Sequence, residues 1–289
     1  MTIQFTAHNV RLDDGTYTKP DEKLSIDADK WFVSTRKILE NVLPGEKSNY
    51  RIADLGCLEG GYAVEFARMG FNVLGVEIRD SNLEACNYIK SKTNLPNLEF
   101  VKDDAFNIDK YGIFDAIFCC GLLYHLDKPK LFLDKLAAVT TKLVILQTHF
   151  STSGTDNISD KFRLSELMDN EGLSGRWFTE FQDDNSFAQR EDHRWSAWDN
   201  RRSFWIQREY LLQAIQTAGF DVVLEQFDSL GPEIAETMLH GYYRTDRRGT
   251  FIGLKTSTAQ EQLKGGNTAI QQQFLPEFFR KFLPSFLTK

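Results

Sequence analysis

The stretch RIADLGCLEGG, residues 51–61, is the strongest indication of the fold of this chain. Ile52, Ala53 and Leu55 predict a buried β-strand, and Gly56 predicts a tight turn at the end of that strand. A helix is expected to begin at the two glycines that close the stretch. Because such a turn leaves backbone N–H groups and a helix N-terminus at the edge of the sheet, α/β proteins hold nucleotide-like ligands there. The stretch therefore predicts a ligand site as well as a fold.

Strand and helix patterns alternate along the rest of the chain. Ser81 and Glu84 are three residues apart, which is the spacing of a capping box at a helix start. The alternation predicts an α/β fold with a doubly wound, mostly parallel, seven-stranded Rossmann-like sheet. The last two strands lack a regular crossover and are candidates for an antiparallel pair. Besides the first strand, we expect strands at 72–77, 98–101, 114–121, 142–149, 220–227 and 250–255.

The chain divides into five predicted segments. From about 150 to 204 it is polar and aromatic and too long for an ordinary loop, which predicts an inserted aromatic lid. The tail has a phenylalanine at every fourth residue from Phe274 to Phe286 and is a candidate surface for a homodimer. The segments are an N-terminal arm and covering helix at 1–48, a cofactor-binding core at 49–150, a lid for the acceptor at 151–205, the completion of the sheet at 206–257 and a helical tail at 258–289.

The overall composition narrows the class of partners. The 289 residues carry a formal net charge of −7, which argues against a generally nucleic-acid-binding surface. The four cysteines have no zinc-ligand spacing and are interpreted as reduced thiols. The N-terminus lacks the pattern of a signal peptide, and no apolar run reaches membrane-spanning length. We therefore expect a cytoplasmic protein without a membrane span.

The glycine turn also indicates which nucleotide-like ligand is bound. A dinucleotide fingerprint requires glycine where this chain has Leu58, because the backbone must approach a pyrophosphate closely. Asp54 lies two positions before Gly56, and its carboxylate would repel phosphates and attract a cation. These residues indicate a cationic, phosphate-free ligand, which S-adenosylmethionine fits through its sulfonium and ammonium groups. They disfavour an NAD-linked oxidoreductase.

Four motifs occur in order, each at the C-terminal end of a predicted strand. They are DLGCLEGG at 54–61, Glu77, DDA at 103–105 and FDAIFCCGLLYHLDKP at 114–129. Over about residues 50–150 this order resembles the class I S-adenosylmethionine-dependent methyltransferases. The chain departs from the commonest form of the motif at Leu58, where glycine is frequent.

The resemblance implies a role for each matching residue. The turn at Gly56 would pass under the methionine part of the cofactor, and Glu77 would hold both ribose hydroxyls. Asp104 and the Ala105 amide would recognise the adenine edge. The resemblance implies the cofactor-binding set Asp54, Gly56, Cys57, Gly60, Glu77, Ile78, Asp104, Ala105, Cys120 and Gly121.

Three histidines are candidates for a general base toward an oxygen acceptor. His149 ends the fifth strand on the ligand edge of the sheet and is the first choice, ahead of His125 and His193. The densest aromatic and polar cluster, together with the LYHL motif, predicts the acceptor-binding residues Tyr124, Trp195, Trp198, Asn200 and Arg201. We predict no metal, because Gly121 and Gln147-Thr148-His149 stand where metal-dependent O-methyltransferases carry Asp and Asp-Asn. Asp183-Asp184-Asn185 in the lid is interpreted as a solvated turn.

The identity of the acceptor stays open at this point. The lid motifs are similar to methyltransferases that act on small molecules or sugars, and also to tRNA wobble-uridine enzymes. The first reading predicts methyl transfer to a small-molecule or glycan acceptor, most often through oxygen. The tRNA alternative requires a basic surface. On this acidic chain, arginines cluster only at Arg201-Arg202 and at Arg244-Arg247-Arg248. A non-catalytic protein that binds S-adenosylmethionine is the further alternative.

Overall fold

A seven-stranded sheet forms the centre of the computed structural model, which describes residues 3–154, 162–181, 186–240, 243 and 247–256. Its strands are β1 (Arg51–Leu55), β2 (Asn72–Glu77), β3 (Leu98–Lys102), β4 (Phe114–Cys120), β5 (Thr140–His149), β9 (Val222–Gln226) and β10 (Arg248–Leu254). The strand order is β3-β2-β1-β4-β5-β10-β9. Neighbouring strands from β3 to β5 are parallel, and β10 is antiparallel to both β5 and β9. The predicted doubly wound, mostly parallel fold and the antiparallel final pair are therefore confirmed.

Helices cover both faces of the sheet, because its strands bury side chains on both sides. Along β5, Leu143 and Ile145 pack into one hydrophobic cluster, whereas Val144 and Leu146 pack into the other. The first cluster includes α1, α2 and α3, and the second includes α4 and α6. The helices are α1 (Lys30–Val42), α2 (Gly61–Arg68), α3 (Asp80–Ser91), α4 (Pro129–Val139), α5 (Phe187–Asp192), α6 (Arg208–Thr217) and α7 (Ile234–His240). No helix in the described part of the chain has the length and apolarity needed to cross a membrane.

The segment predicted as a lid contains a small sheet of its own. Its antiparallel strands are β6 (Met168–Asn170), β7 (Leu173–Thr179) and β8 (Arg202–Ile206). A backbone hydrogen bond of 2.8 Å from Phe204 N to Leu126 O ties β8 to the segment that follows β4. Helix α5 and the segment after it, up to Asn200, lie between β7 and β8 in the chain. The five-segment division stays a prediction, and the phenylalanine-rich tail lies outside the described residues.

The prediction of a capping box at Ser81 and Glu84 is wrong. Helix α3 begins one residue earlier, at Asp80, and Arg79 occupies the cap position without a side-chain cap. The Ser81 hydroxyl instead donates to Glu191 Oε1 at 3.1 Å, across to the lid. A tertiary partner has therefore displaced the local capping interaction.

The turn between β1 and α2 depends on close packing. The backbone N–H groups of Gly56 and Cys57 both donate to Val76 O, at 2.9 and 3.1 Å, which ties the turn to β2. Gly60 has a left-handed φ of +76°, and a Cβ atom there would lie 2.6 Å from the Phe100 ring. This position therefore requires glycine for its backbone conformation and for the space around it.

Replacing Gly60 tests this packing. We expect Gly60→Ala to lower the free energy of unfolding by about 2–5 kcal/mol, because left-handed strain and overpacking add. Gly45 is the matched control, since its φ is +81° and nothing lies within 4 Å of a Cβ built there. Gly45→Ala should cost about 1–2 kcal/mol, from the backbone strain alone. Urea unfolding measures both values, and equal losses in the two variants would contradict the packing argument.

Candidate active site

A cavity of about 720 Å³ opens at the C-terminal ends of β1, β2 and β4. The strand order reverses between β1 and β4, which is where ligands bind in open α/β sheets. The volume is in the ordinary range for small-molecule sites. Nine of the ten predicted cofactor residues line the cavity: Asp54, Gly56, Cys57, Glu77, Ile78, Asp104, Ala105, Cys120 and Gly121. The tenth, Gly60, lies behind the turn against Phe100.

Asp54 brings an unsatisfied carboxylate oxygen to the cavity. The side chain is almost fully buried. Its Oδ2 atom is buried and has no hydrogen-bond partner among the described residues. Burial, with a smaller contribution from Glu77, raises the pKa of Asp54 to about 8. A ligand with a cationic hydrogen-bond donor, such as an ammonium group, fits this atom.

Glu77 ties the turn after β1 to the start of α3. Its Oε2 accepts from Leu58 N at 2.9 Å, and its Oε1 accepts from Ile78 N at 2.9 Å and Arg79 N at 2.8 Å. Burial nevertheless raises the pKa of the Glu77 carboxyl. Since a carboxylate has about four acceptor positions, binding both ribose hydroxyls would require at least one backbone donor to be exchanged. The ribose role of Glu77 stays a prediction.

Asp104 and Ala105 lie at the far end of the cavity, after β3. Asp104 caps a short 3₁₀-helix, Ala105–Tyr111, and its Oδ1 accepts from Phe106 N at 2.9 Å. Burial raises the pKa of Asp104, and the nearby carboxyl of Asp199 adds to the shift. Asp54, Glu77 and Asp104 thus give the cavity an acidic lining, which favours a cation over a diphosphate.

Arg79 connects this lining to the lid, and the sequence patterns did not identify it. Its guanidinium donates to three lid carbonyls: Nη1 to Arg190 O at 2.6 Å, and Nη2 to Ser196 O at 2.9 Å and Ala197 O at 3.1 Å. The same group lies 5.0 Å from the centre of the Trp198 ring. Arg79 therefore holds the lid segment 190–198 over the side of the cavity formed by Glu77.

The N-terminal arm closes another side of the cavity, and its anchor was also not identified from the sequence. The fully buried Glu59 carboxylate accepts from three backbone N–H groups of the arm, those of Thr6 (2.6 Å), Ala7 (3.0 Å) and His8 (2.8 Å). Burial acts to raise the pKa of Glu59, but these donors outweigh it and the pKa is lowered. His8 Nδ1 in turn accepts from Gly61 N at 2.9 Å, and Ala7 and His8 line the cavity.

The structure separates the three candidate histidines. His125 lines the cavity, and its Nδ1 lies 2.8 Å from Glu180 Oε1. His149, the first choice from the sequence, is not on the cavity wall: its ring stacks on Trp205 at 4.6 Å and meets the edge of Tyr124 at 4.4 Å. His193 is exposed at the end of α5 and does not line the cavity. Geometry therefore favours His125 among the three.

Four of the five predicted acceptor residues line the cavity: Tyr124, Trp195, Trp198 and Asn200. Asn200 Nδ2 donates to His125 O at 2.8 Å, which fixes the lid to the segment after β4. Arg201 is exposed and does not line the cavity.

Arg248 also lines the cavity, although the sequence identified it only as part of a basic cluster. Its Nε donates to Gln147 Oε1 at 2.7 Å. Its guanidinium lies 5.5 Å from the centre of the Tyr124 ring.

The prediction of no metal stays a prediction. Within the described ranges, no group of three or more histidine, cysteine or acidic side chains has an arrangement that would hold a metal ion. Asp183-Asp184-Asn185 lies outside them.

The fold and the acidic, strand-end cavity agree with the class I S-adenosylmethionine-dependent methyltransferases. A family model described as a methyltransferase domain matches residues 46–195, which is more than half of the chain, and the chain belongs to this family. The family resemblance predicted from the four motifs is therefore confirmed, and with it S-adenosylmethionine as the methyl donor of the class.

Individual relatives share part of the chain. A putative methyltransferase of Geobacillus sp. (strain WCH70) is 31% identical over 104 residues, which are 35% of this chain and 41% of that protein. The ubiquinone biosynthesis O-methyltransferase of Rickettsia typhi is 25% identical over 89 residues, 31% of this chain and 36% of that protein. These matches thus span less than half of each relative.

Among solved structures, the N-terminal domain of EvdMO1, crystallised in the presence of SAH and D-fucose, superposes with a TM-score of 0.60 at 23% identity. The superposition covers 85% of this chain and 91% of that one. At this level of identity the likeness supports the fold.

Neutralising Glu77 tests its placement at the cofactor. We expect Glu77→Gln to weaken binding of S-adenosylhomocysteine by about 1.5–3 kcal/mol, because charge-assisted hydrogen bonds to the ribose are lost. Calorimetric titration measures this change, and urea unfolding shows whether the variant keeps the stability of the wild type. Glu99→Gln, at an exposed position of β3, is the control and should bind as the wild type does. A folded Glu77→Gln variant with unchanged affinity would remove Glu77 from the cofactor site.

The raised pKa of Asp54 makes cofactor binding depend on pH. The carboxyl of the free protein is protonated below about pH 8, and a bound ammonium group favours its ionised form. We therefore expect the affinity for S-adenosylhomocysteine to rise between pH 6 and pH 8, with protons released on binding. Titration calorimetry in buffers of different ionisation enthalpy measures the affinity and the number of protons released. Asp54→Asn should flatten the rise, and an equally steep rise in that variant would place the titrating group elsewhere.

Proposed function

We propose that this chain transfers a methyl group from S-adenosylmethionine to an oxygen atom of a small-molecule or glycan acceptor, without a metal ion. The observation that carries the proposal is the position of His125: it is on the wall of the same cavity that is lined by Asp54, Glu77 and Asp104. A candidate base and the candidate cofactor residues thus share one cavity.

The acidic lining supports the choice of cofactor. Bound S-adenosylmethionine supplies a methyl group activated by a positively charged sulfur. Asp54 offers a buried, unpartnered oxygen to a cationic donor, and Asp104 and the Ala105 amide offer an acceptor and a donor to a heterocyclic edge. The lid segment held by Arg79 and the arm held by Glu59 line two sides of this space and limit the access of water to it.

In this proposal the protein orients the reactants and accepts one proton. The acceptor oxygen attacks the methyl carbon in line with the breaking carbon–sulfur bond, whose electron pair stays on sulfur. The hydroxyl proton of the acceptor goes to His125 Nε2, the nitrogen that is not bonded to Glu180. No metal or further co-reactant is needed to balance the step.

Aromatic side chains on the cavity wall support a ring-shaped acceptor. Trp31, Tyr124, Trp195 and Trp198 all line the cavity, and such faces stack on sugar and aromatic rings. The Rickettsia relative is named an O-methyltransferase, and the EvdMO1 domain was crystallised in the presence of D-fucose. Both observations agree with a small-molecule acceptor that carries a hydroxyl group.

An acceptor screen with labelled S-adenosylmethionine tests the proposal. The panel contains monosaccharides including D-fucose, nucleotide sugars, mono- and dihydroxyphenols, and bulk tRNA. We expect label to move to a sugar or phenol and not to tRNA. Labelled tRNA would instead favour the nucleic-acid alternative, and binding of the cofactor without any transfer would favour the non-catalytic one.

Histidine variants then test the base. With the acceptor found in the screen, His125→Gln should lower kcat by about 10²- to 10⁴-fold and leave the affinity for S-adenosylhomocysteine unchanged. His149→Gln should reduce kcat much less, because His149 lies behind Tyr124. His240→Gln, at the exposed end of α7, is the matched control. Wild-type kcat in a folded His125→Gln variant would contradict the role of His125.

A further inference from the structure

We propose that Glu180 is a positioning residue that fixes the tautomer of His125 and couples it to the seating of the lid. The inference rests on the proposed function, in which His125 is the base. Glu180 follows directly after β7, 55 residues along the chain from His125. Neither the sequence motifs nor the family resemblance assigns it a role.

The Glu180 carboxylate is fully buried and has three hydrogen-bond contacts. Its Oε1 lies 2.8 Å from His125 Nδ1 and accepts from Ser203 Oγ at 2.6 Å. Its Oε2 accepts from the backbone N–H of Ala197 at 3.0 Å. Each of its two oxygens is therefore satisfied, which offsets much of the free-energy cost of burying the group.

These contacts determine which nitrogen of His125 carries the proton. A carboxylate oxygen can only accept a hydrogen bond, so the neutral imidazole donates from Nδ1 and keeps its lone pair on Nε2. The carboxylate also stabilises the positive charge that develops on the ring when Nε2 takes a proton, and burial strengthens this interaction. Glu180 thus prepares His125 to act as a base toward the cavity.

The same carboxylate holds the lid. Ala197 belongs to the lid segment whose carbonyls accept from Arg79, and Ala197 itself uses its N–H for Glu180 and its carbonyl for Arg79. Asn200, two residues after that segment, donates to the carbonyl of His125. The lid is therefore anchored to the backbone of the base, to the carboxylate that orients the base, and to Arg79, two residues after Glu77. Removal of the lid segment would leave Glu180 Oε2 without this donor, so the seated lid and the oriented base stabilise each other.

Nitrogen-15 NMR of the imidazole tests the positioning role without an acceptor. In the wild type with S-adenosylhomocysteine we expect the His125 resonances of an Nδ1–H tautomer, assigned by their loss in His125→Gln. In Glu180→Gln the amide can donate to the ring, so the Nε2–H form should increase. Glu65→Gln replaces another buried carboxylate, on α2 and away from the cavity, and should leave the tautomer unchanged. An unchanged tautomer in a folded Glu180→Gln variant would overturn the proposal.

Kinetics separate the positioning role from a merely structural one. Glu180→Gln should lower kcat by about 10²- to 10⁴-fold with little change in cofactor affinity, because a wrongly protonated imidazole cannot act as a base. In a His125→Gln background the same substitution should have almost no further effect. An equal fall in both backgrounds would mean that Glu180 acts only through the fold, and would refute the inference. Full activity of the single variant His125→Gln would instead refute the role of His125 as the base in the proposed function. The NMR measurement would still show whether Glu180 fixes the tautomer of His125.

Discussion

The buried carboxylate of Glu77 is the interaction on which the rest of the site depends. It lies at the end of β2 and must be matched by hydrogen-bond donors there, because a buried charge without partners is costly. It finds them in the N–H groups of Leu58, Ile78 and Arg79. This fixes the turn after β1 in the conformation that brings Asp54 and Gly56 to the cavity. It also fixes the backbone of Arg79, whose side chain then holds the lid. One strand-end carboxylate thus orders both the floor and the cover of the cavity.

Burial of acidic groups explains how this cavity selects its ligand. The pKa values of Asp54, Glu77 and Asp104 are all raised, and in each case burial is the main cause. Such groups are stabilised by a cation that also donates hydrogen bonds, and they are destabilised further by a phosphate. Perturbed carboxyl groups that converge in one cavity are typical of a functional site. The charge pattern therefore favours an adenosyl sulfonium cofactor over a dinucleotide.

Local sequence patterns predicted the sheet, and nine of the ten residues that they proposed for the cofactor line one cavity. They succeeded because parallel strands bring their C-terminal ends to one edge, so a residue that ends a strand, such as Glu77 or Cys120, has a position that the pattern alone defines. The right family also followed from the order of such residues. Predictions that depended on a strand's neighbours were less successful: His149 does end β5, but Trp205, which comes from β8, stacks on its ring and keeps it off the cavity wall.

The residues that the sequence did not reveal are joined by long-range contacts. Arg79 reaches carbonyls more than a hundred residues away, and Glu59 binds the arm about fifty residues before it. Glu180 binds His125, which lies 55 residues before it in the chain. No local periodicity or short motif encodes such pairs. An acidic residue within the strand and turn motif DLGCLEGG, namely Glu59, is the signal that would have pointed to an anchoring role.

Titration calorimetry of the wild-type protein with S-adenosylmethionine and S-adenosylhomocysteine, with NAD and bulk tRNA in parallel, shows which ligand the acidic cavity binds. We expect micromolar binding of the two adenosyl ligands and no measurable binding of NAD. Binding of NAD in place of the adenosyl ligands, or of neither, would contradict the assignment of the acidic cavity as the cofactor site.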